Sequence, residues 1–218
     1  MEKKSSTVNK QEPDKNGSSL NNGPKHTDLA LKPKTERPPA IKFFPGEDPF
    51  YGGRSLYVDL VPFTAKYSSL RNLVTPESWK KIVNLVFSRS EKKCELCGLF
   101  ESRCTPKKLE VHSRWHFSLS KNPLTTKTGI QTLKRLIVLC PKCYQVTNFD
   151  MVKDSSKENE AVLYLAERNK WPRHMALKHI KEAFVTRDFM SRVPGFSIDM
   201  HVFDGCEWFV PKNSGDKI

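Results

Sequence analysis

The sequence predicts an α+β fold: a small β-rich centre pinned by cysteines, one helix before it and a helical hairpin after it. Three observations carry this reading. Cys94-Glu95-Leu96-Cys97 and Cys140-Pro141-Lys142-Cys143 are two Cys-x2-Cys pairs. Between them, Leu109, Val111, Trp115 and Phe117, then Leu136-Ile137-Val138-Leu139, have the spacing and continuity of strands. Outside them, Trp79, Ile82, Val83 and Val86 on one side, and Ala161, Val162, Leu165 and Ala166 on the other, recur at helical spacing.

Taken in order, residues 1–40 are polar, rich in Lys, Ser, Asn, Pro and Gly, and are expected to form a disordered tail. They offer too little apolar surface to offset the entropy of ordering. Residues 41–75 form an aromatic arm and a short strand. Phe43, Phe44, Phe50, Tyr51 and Tyr57 alternate with Pro and Gly, and Leu56 to Phe63 is the strand. The aromatics either dock on the core or stack on bases. Residues 76–152 hold the cysteine domain. Its first helix has Thr75 as cap, Pro76 in the first turn and Glu77 at the positive end of the dipole, and runs to about Ser90. The first Cys pair follows, then two strands, the second pair, and a short helix from about Lys142 to Val152. The sum is a ββα unit. Residues 153–210 add a hairpin of two helices, Glu160 to Asn169 and Arg173 to Arg192, broken at Trp171-Pro172, and a closing strand from Phe196. On the second helix Met175, Ile180, Ala183, Phe184 and Phe189 are the apolar positions. Residues 211–218 are a polar tail.

Two such pairs present four thiolates to one tetrahedral Zn²⁺, so Cys94, Cys97, Cys140 and Cys143 are the expected structural zinc ligands. The 42 residues between Cys97 and Cys140 exceed the usual ribbon spacing and accommodate the two strands. Cys104 and Cys206 stand alone and are expected to pack rather than ligate. The start, Met1-Glu2-Lys3-Lys4-Ser5-Ser6, has no apolar core of a secretory signal, and residues 1–40 hold a single Arg and several acids, unlike a mitochondrial presequence. No run reaches the length of a membrane span. A reducing intracellular compartment, cytoplasm or nucleus, is expected, where metal binding is favoured over disulfides.

The net charge is +13, and residues 51–150, with 17 Lys/Arg against 7 Asp/Glu, carry most of it. A basic excess on the segment with the Cys pairs points to a nucleic acid partner, DNA or RNA. His112 and His116 lie within the first strand and would share one face. Two readings are open for them: a metal-binding or water-activating pair, or polar surface histidines and substitute zinc ligands.

Trp79 to Cys97, then Leu109-Glu110-Val111-His112-Ser113-Arg114-Trp115-His116-Phe117, then Leu136 to Cys143, resemble the HNH endonucleases, the ββα-metal or His-Me finger superfamily. The likeness is to zinc-ribbon members with a Cys-His-Glu-x-Trp segment between two Cys-x2-Cys pairs, and it spans about residues 56–210. The resemblance implies a structural Cys quartet, His112 as the general base, and a divalent ion, Mg²⁺ or Mn²⁺, beside it as Lewis acid. The chain departs from that pattern where the metal ligands belong. Ser113 stands in place of Glu, Tyr144 in place of His, and Asn148 in place of a later His. Ser and Tyr are poor ligands for a hard cation; His116 and the Asn148 amide remain as possible contacts. The expected function is therefore a catalytically degenerate, HNH-like nucleic-acid-binding protein. The alternatives are an active nuclease using His112 and a structural zinc module that assembles with a protein partner.

Overall fold

The computed structural model describes residues 43–65, 69–103, 108–119 and 128–212. The expectations for the 1–40 tail, for Cys104 and for most of the 211–218 tail lie outside the described residues.

The protein is a mixed α+β structure. Helix α1 (Pro76–Arg89) precedes a long hairpin of β1 (Glu110–Leu119) and β2 (Gly129–Leu139). Helices α2 (Pro141–Thr147), α3 (Glu158–Asn169) and α4 (Arg173–Met190) follow, and β3 (Phe196–Asp199) closes the sheet. The strand order is β1-β2-β3, with β1 antiparallel and β3 parallel to β2. The chain must cross over between parallel neighbours, and α2, α3 and α4 form that connection.

Local chemistry sets the helix ends. The Thr75 hydroxyl accepts from the Ser78 amide, and Pro76 occupies the first turn, where its missing N–H costs nothing. Ile82 and Val86 are buried on the inner face of α1. Pro141 starts α2 directly after Cys140. Lys170 adopts the left-handed conformation that ends α3, and Trp171-Pro172 then turns the chain into α4. All four apolar residues predicted on α3 are buried.

Three expectations are corrected. Leu56 to Phe63 is not a strand. It is an extended strap whose backbone bonds go largely to side chains: Asn169 donates to and accepts from Leu56, and the Val58 amide donates to His179 Nε2 at 3.1 Å. Side chains of α3 and α4 satisfy these backbone groups in place of a neighbouring strand. On α4, Met175 and Phe189 are exposed, and the inward positions are Ala176, Ile180 and Arg187. A guanidinium takes the place of an apolar residue because Arg187 lies between the Phe63 and Phe184 rings and pairs with Asp150 at 2.7 Å. The second strand begins at Gly129, well before Leu136, because its polar residues are covered by β1 and β3.

β3 pairs only with Gly129–Thr132, so the outer edge of β2 beyond Thr132 has no strand partner. Two carboxylates, two loop amides and a guanidinium close it. Asp48 N donates to the Lys134 carbonyl (3.0 Å), Leu136 N to Glu47 Oε1 (2.9 Å) and Val138 N to Glu95 Oε1 (2.9 Å). The Leu136 carbonyl accepts from Arg89, and the Val138 carbonyl from the Glu95 amide. Glu47 is fully buried and forms a bidentate pair with Arg89 at 2.6 and 2.8 Å. That pair joins the aromatic arm, α1 and β2. The arm also docks Phe44 edge-on against Phe203, at 5.0 Å between ring centres.

Replacing Glu47 with Gln should lower stability by about 3–5 kcal/mol in urea denaturation, because Arg89 keeps its charge in a buried site without its counter-ion. Burial lowers the pKa of His179 from 6.5, with Glu182 opposing. The unfolded chain then binds the extra proton first, so stability should decline as pH falls through about 6.5. His179→Gln should flatten that part of the pH–stability curve.

Candidate metal centre and the His112 strand

The first Cys pair lies on the turn after α1, and the second spans the end of β2 and the first turn of α2. Gly98, at φ +74°, completes the first turn, and its amide returns to the Cys94 carbonyl at 2.8 Å. The Cys94 amide donates to Leu99 and the Tyr144 amide to Cys140. Both turns are therefore built by backbone bonds, and they meet because Glu95 is pinned to Val138. The four Sγ atoms lie within 4.8 Å of one another. Cys94, Cys140 and Cys143 are buried and Cys97 is half-buried.

Four thiols this close cannot all ionise alone. Hydrogen bonding among them drives Cys97 well below and Cys143 well above the usual thiol range. A cation at the centre removes this conflict, and an all-sulfur tetrahedral set suits Zn²⁺. The cluster is thus compatible with structural zinc. One member of its surroundings is not evident from sequence: Tyr164 of α3 lies 3.5 Å from Cys143 Sγ through its hydroxyl. No local sequence pattern pointed to it, because the contact depends on α3 packing against α2. Cys206 is half-buried against the core and lies outside the quartet.

His112 lies inside the hairpin and is buried. Its Nε2 is 3.5 Å from Asp59 of the strap, and its ring meets Tyr144 edge-on at 6.0 Å. Asp59 is a neighbour that sequence reasoning missed, since only the tertiary fold carries the strap across β1. His116 is exposed, with Nδ1 3.4 Å from the Tyr51 hydroxyl. Asn148 ends α2, and its Nδ2 donates to the Tyr144 carbonyl at 3.1 Å. No described hydrogen bond joins His112, His116 and Asn148 to one another. Ser113 is buried.

Beside His112 a buried guanidinium is held. Arg114 is fully buried, lies 4.4 Å over the Tyr57 ring and donates to the Tyr51 carbonyl at 3.0 Å. Its cross-strand neighbour Arg135 reaches Glu95 at 3.1 Å. Burial lowers the Arg114 pKa, with Tyr57 and Asp59 opposing, and burial raises that of Tyr57. Gly52 makes this possible. At φ +74° it lies so near Arg114 and Tyr57 that a Cβ would fall 2.2 Å from the guanidinium.

Removing the metal with a strong chelator should unfold the domain, read as loss of far-UV circular dichroism together with release of about one zinc per chain. Tyr164→Phe should keep the fold and weaken zinc binding by about tenfold in a competition titration. Comparison of the chain with protein-family models, with curated proteins and with solved structures returns no match.

Proposed function

We propose that the chain is a zinc-containing, HNH-like nucleic-acid-binding protein with a degenerate nuclease centre. The observation that carries the reading is the ligand inventory. Among the described residues, the four cysteines are the one group of three or more His, Cys, Asp or Glu side chains placed to hold a metal. The hairpin-then-helix order keeps His112 in the first strand, yet Ser113 and Tyr144 offer nothing suited to Mg²⁺ or Mn²⁺. The Asn148 amide nitrogen is spent on capping α2. Nucleic acid, DNA or RNA, is the partner that the +10 balance of residues 51–150 favours, through contacts to phosphates.

The second reading, a nuclease using His112 as base, is supported by Asp59, a carboxylate placed to orient the imidazole. Two measurements separate the readings. Binding to duplex and single-stranded oligonucleotides, followed by fluorescence anisotropy, should weaken steeply between about 50 and about 200 mM salt. Affinity that ignores salt, or no binding at the lower concentration, would reject the phosphate-driven partner. Supercoiled plasmid with Mg²⁺ or Mn²⁺ should stay intact with both the natural protein and His112→Ala. Cleavage present in the first and lost in the second would establish the nuclease.

A further inference from the structure

A cleft of about 500 Å³ lies beside the second half of β1. Its walls are unlike one another. One is formed by Trp115, His116 and Phe117, three consecutive residues of a strand. Consecutive strand side chains point to opposite faces, so all three meet one cleft only where it runs along the strand's edge. The facing wall is α4, through His179, Glu182, Ala183, Thr186, Arg187 and Met190. Those positions follow the spacing of a single helical face. Val58, Asp59, Leu60 and Pro62 of the strap complete the lining.

Among the described residues, β1 is an outer strand of the sheet and pairs with no strand but β2. Two contacts fix which backbone groups look outward. The Tyr51 hydroxyl approaches the Trp115 carbonyl from outside the hairpin at 3.3 Å. The Ser118 carbonyl points the other way, toward Gly129. By alternation Phe117 and Leu119 direct their N–H and C=O groups away from β2. Among the described residues, no backbone bond from another element reaches them.

We propose that this cleft takes an extended peptide from a protein partner as an added strand on β1, with a basic side chain of that peptide on Asp59 and Glu182. A groove between a free strand edge and a helix is suited to strand addition, in which backbone bonds supply affinity and the pocket selects side chains. The Tyr51 hydroxyl already occupies one edge position as a lone donor, where a peptide N–H would continue the row. The charge choice follows from what each group has left to offer. Arg187 is matched by Asp150 and Asp188, at 2.7 and 2.9 Å. His179 accepts from Val58 through Nε2, so that nitrogen is already engaged, and burial lowers its pKa. Glu182 is exposed and held only by a 3.8 Å surface pair with Lys178, which solvent screens; Asp59 lies 3.5 Å from His112, with the buried Arg114 charge nearby. The surplus in the cleft is carboxylate, so Lys or Arg is the complement. This site is separate from the phosphate contacts proposed above and does not depend on them.

The test uses the full chain and a fluorescein-labelled library of extended peptides of about six residues, with a fixed central lysine and apolar neighbours. A second library carries glutamate at the centre. Lysine peptides should bind in the micromolar range, at least about tenfold more tightly than glutamate peptides. Methylating alternate backbone nitrogens of the best peptide should abolish binding in one register and spare it in the other. Phe117 and Leu119 amides should gain hydrogen-exchange protection on binding. Thr186→Trp and Glu182→Lys, both at exposed positions, should weaken peptide binding by at least about tenfold, and the uncharged Thr186→Trp should leave oligonucleotide affinity unchanged. The proposal is overturned by no binding from either library at about 1 mM peptide, by equal binding of both libraries, by indifference to Thr186→Trp or to both methylation patterns, or by amides already protected without peptide.

Discussion

The closure of the β2 edge by two carboxylates is the constraint on which the remaining structure depends. A parallel strand as short as β3 covers only the first four residues of β2. The rest of that edge runs through the core, where an unpaired N–H or C=O costs as much as a lost hydrogen bond. Glu47 and Glu95 meet the Leu136 and Val138 amides two residues apart, as a neighbouring strand would. Each brings its own element: Glu47 the aromatic arm, and Glu95 the first Cys pair. Burying a carboxylate is itself unfavourable, and the cost is offset where Arg89 and Arg135 complete each pair. The polar framework therefore does what a fourth strand would do, and it also fixes where the cysteines stand.

The cysteine quartet depends on that framework in turn. Cys94 and Cys97 flank Glu95, so the bonds between Glu95 and Val138 set the first pair against the second, which begins at the next residue but one. A metal held by these four cysteines would link the turn after α1 to the end of β2 and the start of α2. Tyr164 extends the connection to α3. A segment with a modest apolar core gains from such a link, since binding to the folded state alone is folding free energy.

Much of this was legible in the chain. The Thr75–Pro76 helix start, the four buried positions of α3 and the convergence of the two Cys pairs are local patterns, set by capping, periodicity and turn chemistry within a few residues. The short helix after Cys143 was legible for the same reason, although Asn148 ends it earlier than expected. What failed was long-range. The strap at Leu56 has strand composition but lies against helices. Met175 and Phe189 have core composition but face solvent, because α4 turns Arg187 inward instead. Asp59 could not be assigned to His112 from a separation of 53 residues.

The sequence by itself determined the main helices, the two hairpin strands and the four cysteines that converge, since each is a matter of residue identity at fixed spacing. Only the tertiary structure decided the environment of individual residues. It placed His112 inside, against Asp59 and Tyr144, and left His116 outside beside Tyr51. It also left the end of β1 facing α4 across a cleft. The physical reason is that strand order, edge closure and the burial of Arg114 and Glu47 are settled by packing between segments far apart in the chain. Local propensity carries no information about which carboxylate will meet which guanidinium.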